Sequence, residues 1–227
     1  MKQSLFLLAT LAISGVATSQ ITKEIKTSEY DEIAVSGSYT VELVEGTEGN
    51  VIVTGDQKDL EELIVKSDAG TLVIKPESGT KGRNRKEVII QVPVKQISEI
   101  ALAGSGSITS KTTLTGERIE IALSGSGRVV VDLNVKELEA AMSGSGRIEL
   151  KGNTGSLESA LSGSGRIAAY ECKAANAEAA VSGSGECEVN CSESIVARIS
   201  GSGKISYKGN PSKEDTKVSG SGKISKS

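Results

Sequence analysis

Apolar residues fall at every second position on both sides of a Gly-Ser-Gly triplet that recurs through the second half of the chain. Two residues before its first Gly stand Leu102, Leu123, Met142, Leu161, Val181, Ile199 and Val218. Four before it stand Ile100, Ile121, Ala140, Ser159, Ala179, Ala197 and Thr216. Four after it stand Ile108, Val129, Ile148, Ile167, Cys187, Ile205 and Ile224. Period-two alternation is the mark of a strand with one buried and one wet face, so each repeat reads as two short strands meeting at a glycine corner. Glycine there permits positive φ or close contact between neighbouring coils.

The triplets begin at Gly104, Gly125, Gly144, Gly163, Gly183, Gly201 and Gly220, in steps of 21, 19, 19, 20, 18 and 19 residues. Repeats this short have no room for a crossover helix, so each must pair in register with the next. The pattern predicts an all-β chain, a right-handed parallel β-helix (solenoid) with short coils of about 19 residues stacked about 4.8 Å apart. Flexible linker, the usual meaning of Gly/Ser tracts, is excluded by the β-branched residues at fixed offsets.

Residues 96–227 form this regular part. Residues 20–95 read as an irregular, β-rich N-terminal part of the same solenoid. The stretch Ile33 to Leu43 carries the corner pattern once, and strands are expected at Val51–Val53, Leu63–Val65, Leu72–Ile74 and Val88–Val92, with a helical turn at Asp56–Glu62. Pro76 to Lys86, with Lys81, Arg83, Arg85 and Lys86, reads as a basic loop. Residues 1–19 read as a signal peptide: Lys2, an apolar run from Leu5 to Ile13, and Ala17-Thr18-Ser19 before the cut. That run is too short to span a bilayer, which takes about 20 residues. The expected mature protein is exported: periplasmic, attached to the cell surface or secreted.

Outward positions form columns too. Five before the Gly are Glu99, Glu120, Glu139, Glu158 and Glu178; three after its first Gly are Arg128, Arg147 and Arg166, then Glu186, Lys204 and Lys223. Between the acidic column and the triplets run small residues: Ala101, Ala122, Ala141, Ala160 and Ala180, then Ser124, Ser143, Ser162 and Ser182. A solvated face whose charges block stray sheet pairing accounts for the charged columns. The sharper alternative is an anion-contact column on Arg128, Arg147 and Arg166. One glutamate column does not supply the six to eight oxygens of a calcium cage, so no metal or other cofactor is expected. Polar residues in the last coil (Lys213, Glu214, Asp215) are expected to discourage end-to-end growth.

Composition removes most chemistry. Histidine is absent, so no Ser-His-Asp or Cys-His site exists; Trp is absent and Phe occurs once, in the leader. The formal charge of −3 disfavours nucleic acid as a partner. Cys172 and Cys191 lie one coil length apart, and either a disulfide or an inert column of thiols fits that spacing. Short coils leave no loops to build a catalytic cleft, so no catalytic residues are assigned.

The leader, the Tyr30-Asp31-Glu32-Ile33-Ala34-Val35-Ser36-Gly37-Ser38 entry, the Gly70-Thr71-Leu72-Val73-Ile74 strand and the Leu-Ser-Gly-Ser-Gly series resemble the auto-transporter adhesin, head GIN domain family. The resemblance spans about residues 28–225. It implies a β-helical, non-enzymatic cell-envelope protein, an adhesin or scaffold with a polysaccharide or protein partner, and brings no catalytic residues. Two alternatives stand beside it: an envelope protein that binds or cleaves polysaccharide, and a self-assembling scaffold.

Overall fold

The computed structural model describes residues 20–79 and 87–227. The expected signal peptide and the basic residues Lys81, Arg83, Arg85 and Lys86 lie outside the described residues. In chain order the elements are β1 (Ile21–Lys26), β2 (Glu32–Gly37), β3 (Thr40–Glu45), β4 (Asn50–Gly55), α1 (Gln57–Glu61), β5 (Leu63–Asp68), β6 (Thr71–Pro76), β7 (Ile89–Val94) and β8 (Glu99–Gly104). Longer strands follow, each turning most of a coil: β9 (Ser107–Gly125), β10 (Arg128–Gly144), β11 (Arg147–Gly163), β12 (Arg166–Gly183) and β13 (Glu186–Gly201). The last coil is β14 (Lys204–Lys208), β15 (Lys213–Gly220) and β16 (Lys223–Lys226).

The parallel β-helix expected from the triplet spacing is the architecture adopted. Met142 lies opposite Leu123 and Leu161, and Gly144 opposite Gly125 and Gly163. An entry face runs into each corner and an exit face leaves it. The inward columns fill the space between: Leu102, Leu123, Met142, Leu161 and Val181 are at most 2 % exposed. Each such side chain contributes about 1.5–3 kcal/mol by leaving water, and aliphatic residues suffice because the layer is only one coil wide.

The corner requires glycine twice over. Gly144 has φ +126°, and a Cβ there would sit 2.3 Å from the Gly125 carbonyl oxygen one coil away. That carbonyl accepts hydrogen bonds from the amides of Ser145 and Gly146, at 2.9 and 3.1 Å. Gly37 begins the same column: Gly104 packs on it as later glycines pack on one another.

The N-terminal part is ordered differently in space than in sequence. β2 pairs in parallel with β8 and β3 with β9, so β2–β3 is the coil beneath the regular stack. The chain then passes to the outside, where β6 pairs with β2 and β7 with β3, and returns for β8. Antiparallel partners finish this end: β5 on β6, β4 on β7 and β1 on β4. The β5–β6 hairpin turns at Ala69 (φ 49°) and Gly70 (φ 90°), both left-handed as a tight two-residue turn demands. The expected helical turn is present as α1.

One expectation fails. Cys172 and Cys191 do not stack on neighbouring rungs: Cys191 faces Ala174, while Cys172 faces Gly152. The coil from Gly163 has 20 residues and the next has 18. That difference is absorbed by a register shift between Ala168 and Lys173, which moves the second cysteine along.

Candidate functional site

On the entry face, strand alternation turns outward the alanine three residues before the corner glycine in six successive coils, and the in-register stack aligns them. Ala34, Ala101, Ala122, Ala141, Ala160 and Ala180 follow one another on adjacent rungs. With the neighbouring serines, and with Leu102, Leu123 and Met142 beneath, they line an apolar trough of about 550 Å³. Six rungs at about 4.8 Å make it roughly 24 Å long. Val73 beyond Ala34 and Arg198 beyond Ala180 mark its ends.

Two residues further from the corner lies an unbroken ladder of six glutamates, in register from Glu32 through Glu99, Glu120, Glu139, Glu158 and Glu178. Glu139 is held by Arg118 at 2.6 Å, and Glu32 accepts a hydrogen bond from the Thr71 hydroxyl at 2.6 Å. Glu99, Glu120, Glu158 and Glu178 have no cationic partner within ion-pair distance among the described residues. Burial, with Glu120 and Glu32 as like-charged neighbours, pushes the Glu99 carboxyl above its ordinary range. A carboxyl held high favours the fold while protonated, and that contribution is lost as pH rises through the folded value. Glu99→Gln is therefore expected to raise the melting temperature by about 1–2 °C at pH 7. The gain shrinks in melts recorded at pH 4.

The exit face is the reverse case. Arg128, Arg147 and Arg166 do form the predicted column, in register, but each is engaged by carboxylates. Glu149 lies 2.7 Å from Arg128 and 3.5 Å from Arg147; Arg166 reaches Glu186 at 2.8 Å and Glu188 at 2.7 Å. Lys204 also meets Glu186, at 3.1 Å. Sequence reasoning named the arginines and missed Glu149 and Glu188. The available signal was their offset: Glu149 lies two residues after Arg147 and Glu188 two after Glu186, each on the strand face that carries the column.

Cys172, Cys187 and Cys191 are buried free thiols. Burial pushes Cys172 and Cys187 up to about 11 and raises Cys191 as well. Thiolate is the reacting form, so native protein is expected to resist iodoacetamide at pH 8. Without reductant, unfolded protein takes up three equivalents; a single equivalent would reveal a Cys172–Cys191 bond. Among the described residues no group of three His, Cys, Asp or Glu side chains is placed to hold a metal ion. None of their helices is long and apolar enough to cross a membrane.

A triplet-cornered parallel β-solenoid with a lateral trough places the chain among the β-solenoid repeat proteins. The chain belongs to the family described as "Putative auto-transporter adhesin, head GIN domain", which it matches over residues 29–211. Among solved structures it is similar to a putative adhesin from Bacteroides fragilis, with TM-score 0.84 and 25% identity, covering 93% of this chain and 98% of that one. A putative lipid binding protein from Parabacteroides distasonis has TM-score 0.74 and 30% identity, with 93% and 98% covered. A putative adhesin from the same species shares the fold, with TM-score 0.71, 24% identity and the same coverage. A comparison with curated proteins returns no match.

Proposed function

We propose that this is a non-enzymatic adhesin or scaffold of the cell envelope, exported through its 1–19 leader, which docks its partner in the entry-face trough. The carrying observation is the trough itself: an apolar surface, continuous over six coils, on a protein whose other charged column is neutralised internally. Isolated apolar side chains on a surface need no explanation, but a contiguous apolar groove does. Absence of histidine and the short connections of the regular coils support a binding role over catalysis.

The test is retention on isolated cell envelopes. Ala141→Arg with Ala160→Arg fills the trough from two outward positions and is expected to abolish retention without changing the circular dichroism spectrum. Unchanged retention overturns the reading, and so does release of reducing ends from envelope polysaccharide. A second reading, an acyl-chain ligand, is favoured by the same apolar lining and by the 30% identical relative described as lipid binding. Displacement of cis-parinaric acid, a fluorescent fatty acid, tests it directly.

A further inference from the structure

We propose that the trough receives a basic amphipathic α-helix of a partner protein, lying along the solenoid axis with its cationic flank on the glutamate ladder. The inference rests on the docking reading above and names its partner. Three observations carry it. The two charged columns are treated differently by the fold: the arginines of the exit face are each paired with carboxylates, whereas among the described residues Glu99, Glu120 and Glu158 have no cation within ion-pair distance and Glu178 feels only the longer-range charge of Arg198. Like charges one rung apart oppose the fold, a cost that a cationic ligand laid along the row relieves. A bare anionic row bordering an apolar groove is complementary to a ligand that is apolar on one side and polycationic on the next.

Dimensions select a helix. From the glutamate ladder to the serine column is four residues along a strand, about 13 Å, and a helix with its side chains is about 10–12 Å across. The trough's length of roughly 24 Å holds a helix of about 16 residues. Helical turns recur every 5.4 Å or so, close enough to the rung spacing of about 4.8 Å for flexible Lys side chains to meet successive glutamates. An extended peptide repeats same-side residues at about 6.6–6.8 Å and drifts out of step within three rungs. A lipid brings one headgroup and leaves most of the ladder unmet.

The test uses the full chain and a fluorescein-labelled peptide of about 16 residues, with a Leu/Ala stripe at helical spacing and Lys on one flank. One control replaces every Lys with Glu, and another scrambles the order. Anisotropy is expected to show binding of the amphipathic peptide alone, with helical circular dichroism appearing on binding. Glu120→Gln/Glu158→Gln/Glu178→Gln is expected to weaken it about tenfold, and Ala141→Arg/Ala160→Arg to abolish it. Equal binding of the scrambled or Glu peptide, or undiminished binding by the filled trough, overturns the inference. Capture of cis-parinaric acid without any binding of the basic peptide assigns the trough to acyl chains, overturning the helix while leaving docking intact. Undiminished envelope retention by the filled trough sinks the docking reading itself.

Discussion

Gly144→Ala is expected to cost about 3–5 kcal/mol, the sum of a strained backbone and a steric clash. At φ +126° the residue sits where only glycine is at ease, and its added methyl would lie 2.3 Å from the Gly125 carbonyl. That oxygen cannot retreat, because it holds the amides of Ser145 and Gly146. The expected readout is a fall in melting temperature of about 10 °C. Because each coil touches only its neighbours, faster amide exchange should be concentrated in β9, β10 and β11 rather than spread through the molecule. Gly116→Ala is the control: nothing lies within 4 Å of the added methyl, and φ is outside the left-handed range. It is expected to leave stability unchanged or slightly higher. Equal loss at both positions would mean that the corner is not what specifies the coil.

The same steric demand explains why so much of the regular half was legible. Only glycine fits the corner, so the triplet prints the coil period into the sequence, and the columns on either side follow by counting. The alanine and glutamate columns were visible for that reason. Their extension to Ala34 and Glu32 was not, because residues 38–98 intervene before the stack resumes at Glu99. No local signal tells β6 to lie outside β2; that order is fixed by which apolar face remains uncovered. Coil length was the other blind spot. A constant period puts Cys172 beside Cys191, but the shift between Ala168 and Lys173 decides otherwise. The trough needed the structure too, because a column of small residues becomes a groove only when flanking rows rise around it.

Arg166→Ala is the second large effect expected, about 1–3 kcal/mol at pH 7. Arg166 sits between two carboxylates, of which Glu188 is 11% and Glu186 27% exposed at the side chain. Removing the guanidinium leaves two acidic side chains with little water to replace it, although Lys204 still reaches Glu186. The hydrogen bond that Arg166 donates to Glu188, and then the charges of Glu188 and Glu186, raise the arginine's affinity for its proton above the ordinary value. A cation held in this way stabilises the fold below its own titration for as long as its carboxylate partners stay charged. The effect of its loss should therefore depend on pH, through the carboxylates left behind. In strongly acidic buffer, where carboxylic acids as a class carry no charge, the missing partner ceases to matter and the melting curves of parent and variant converge. Arg166→Gln keeps hydrogen-bonding capacity without charge and is expected to fall between the two. A variant gap independent of pH would place the role of Arg166 in its aliphatic packing instead.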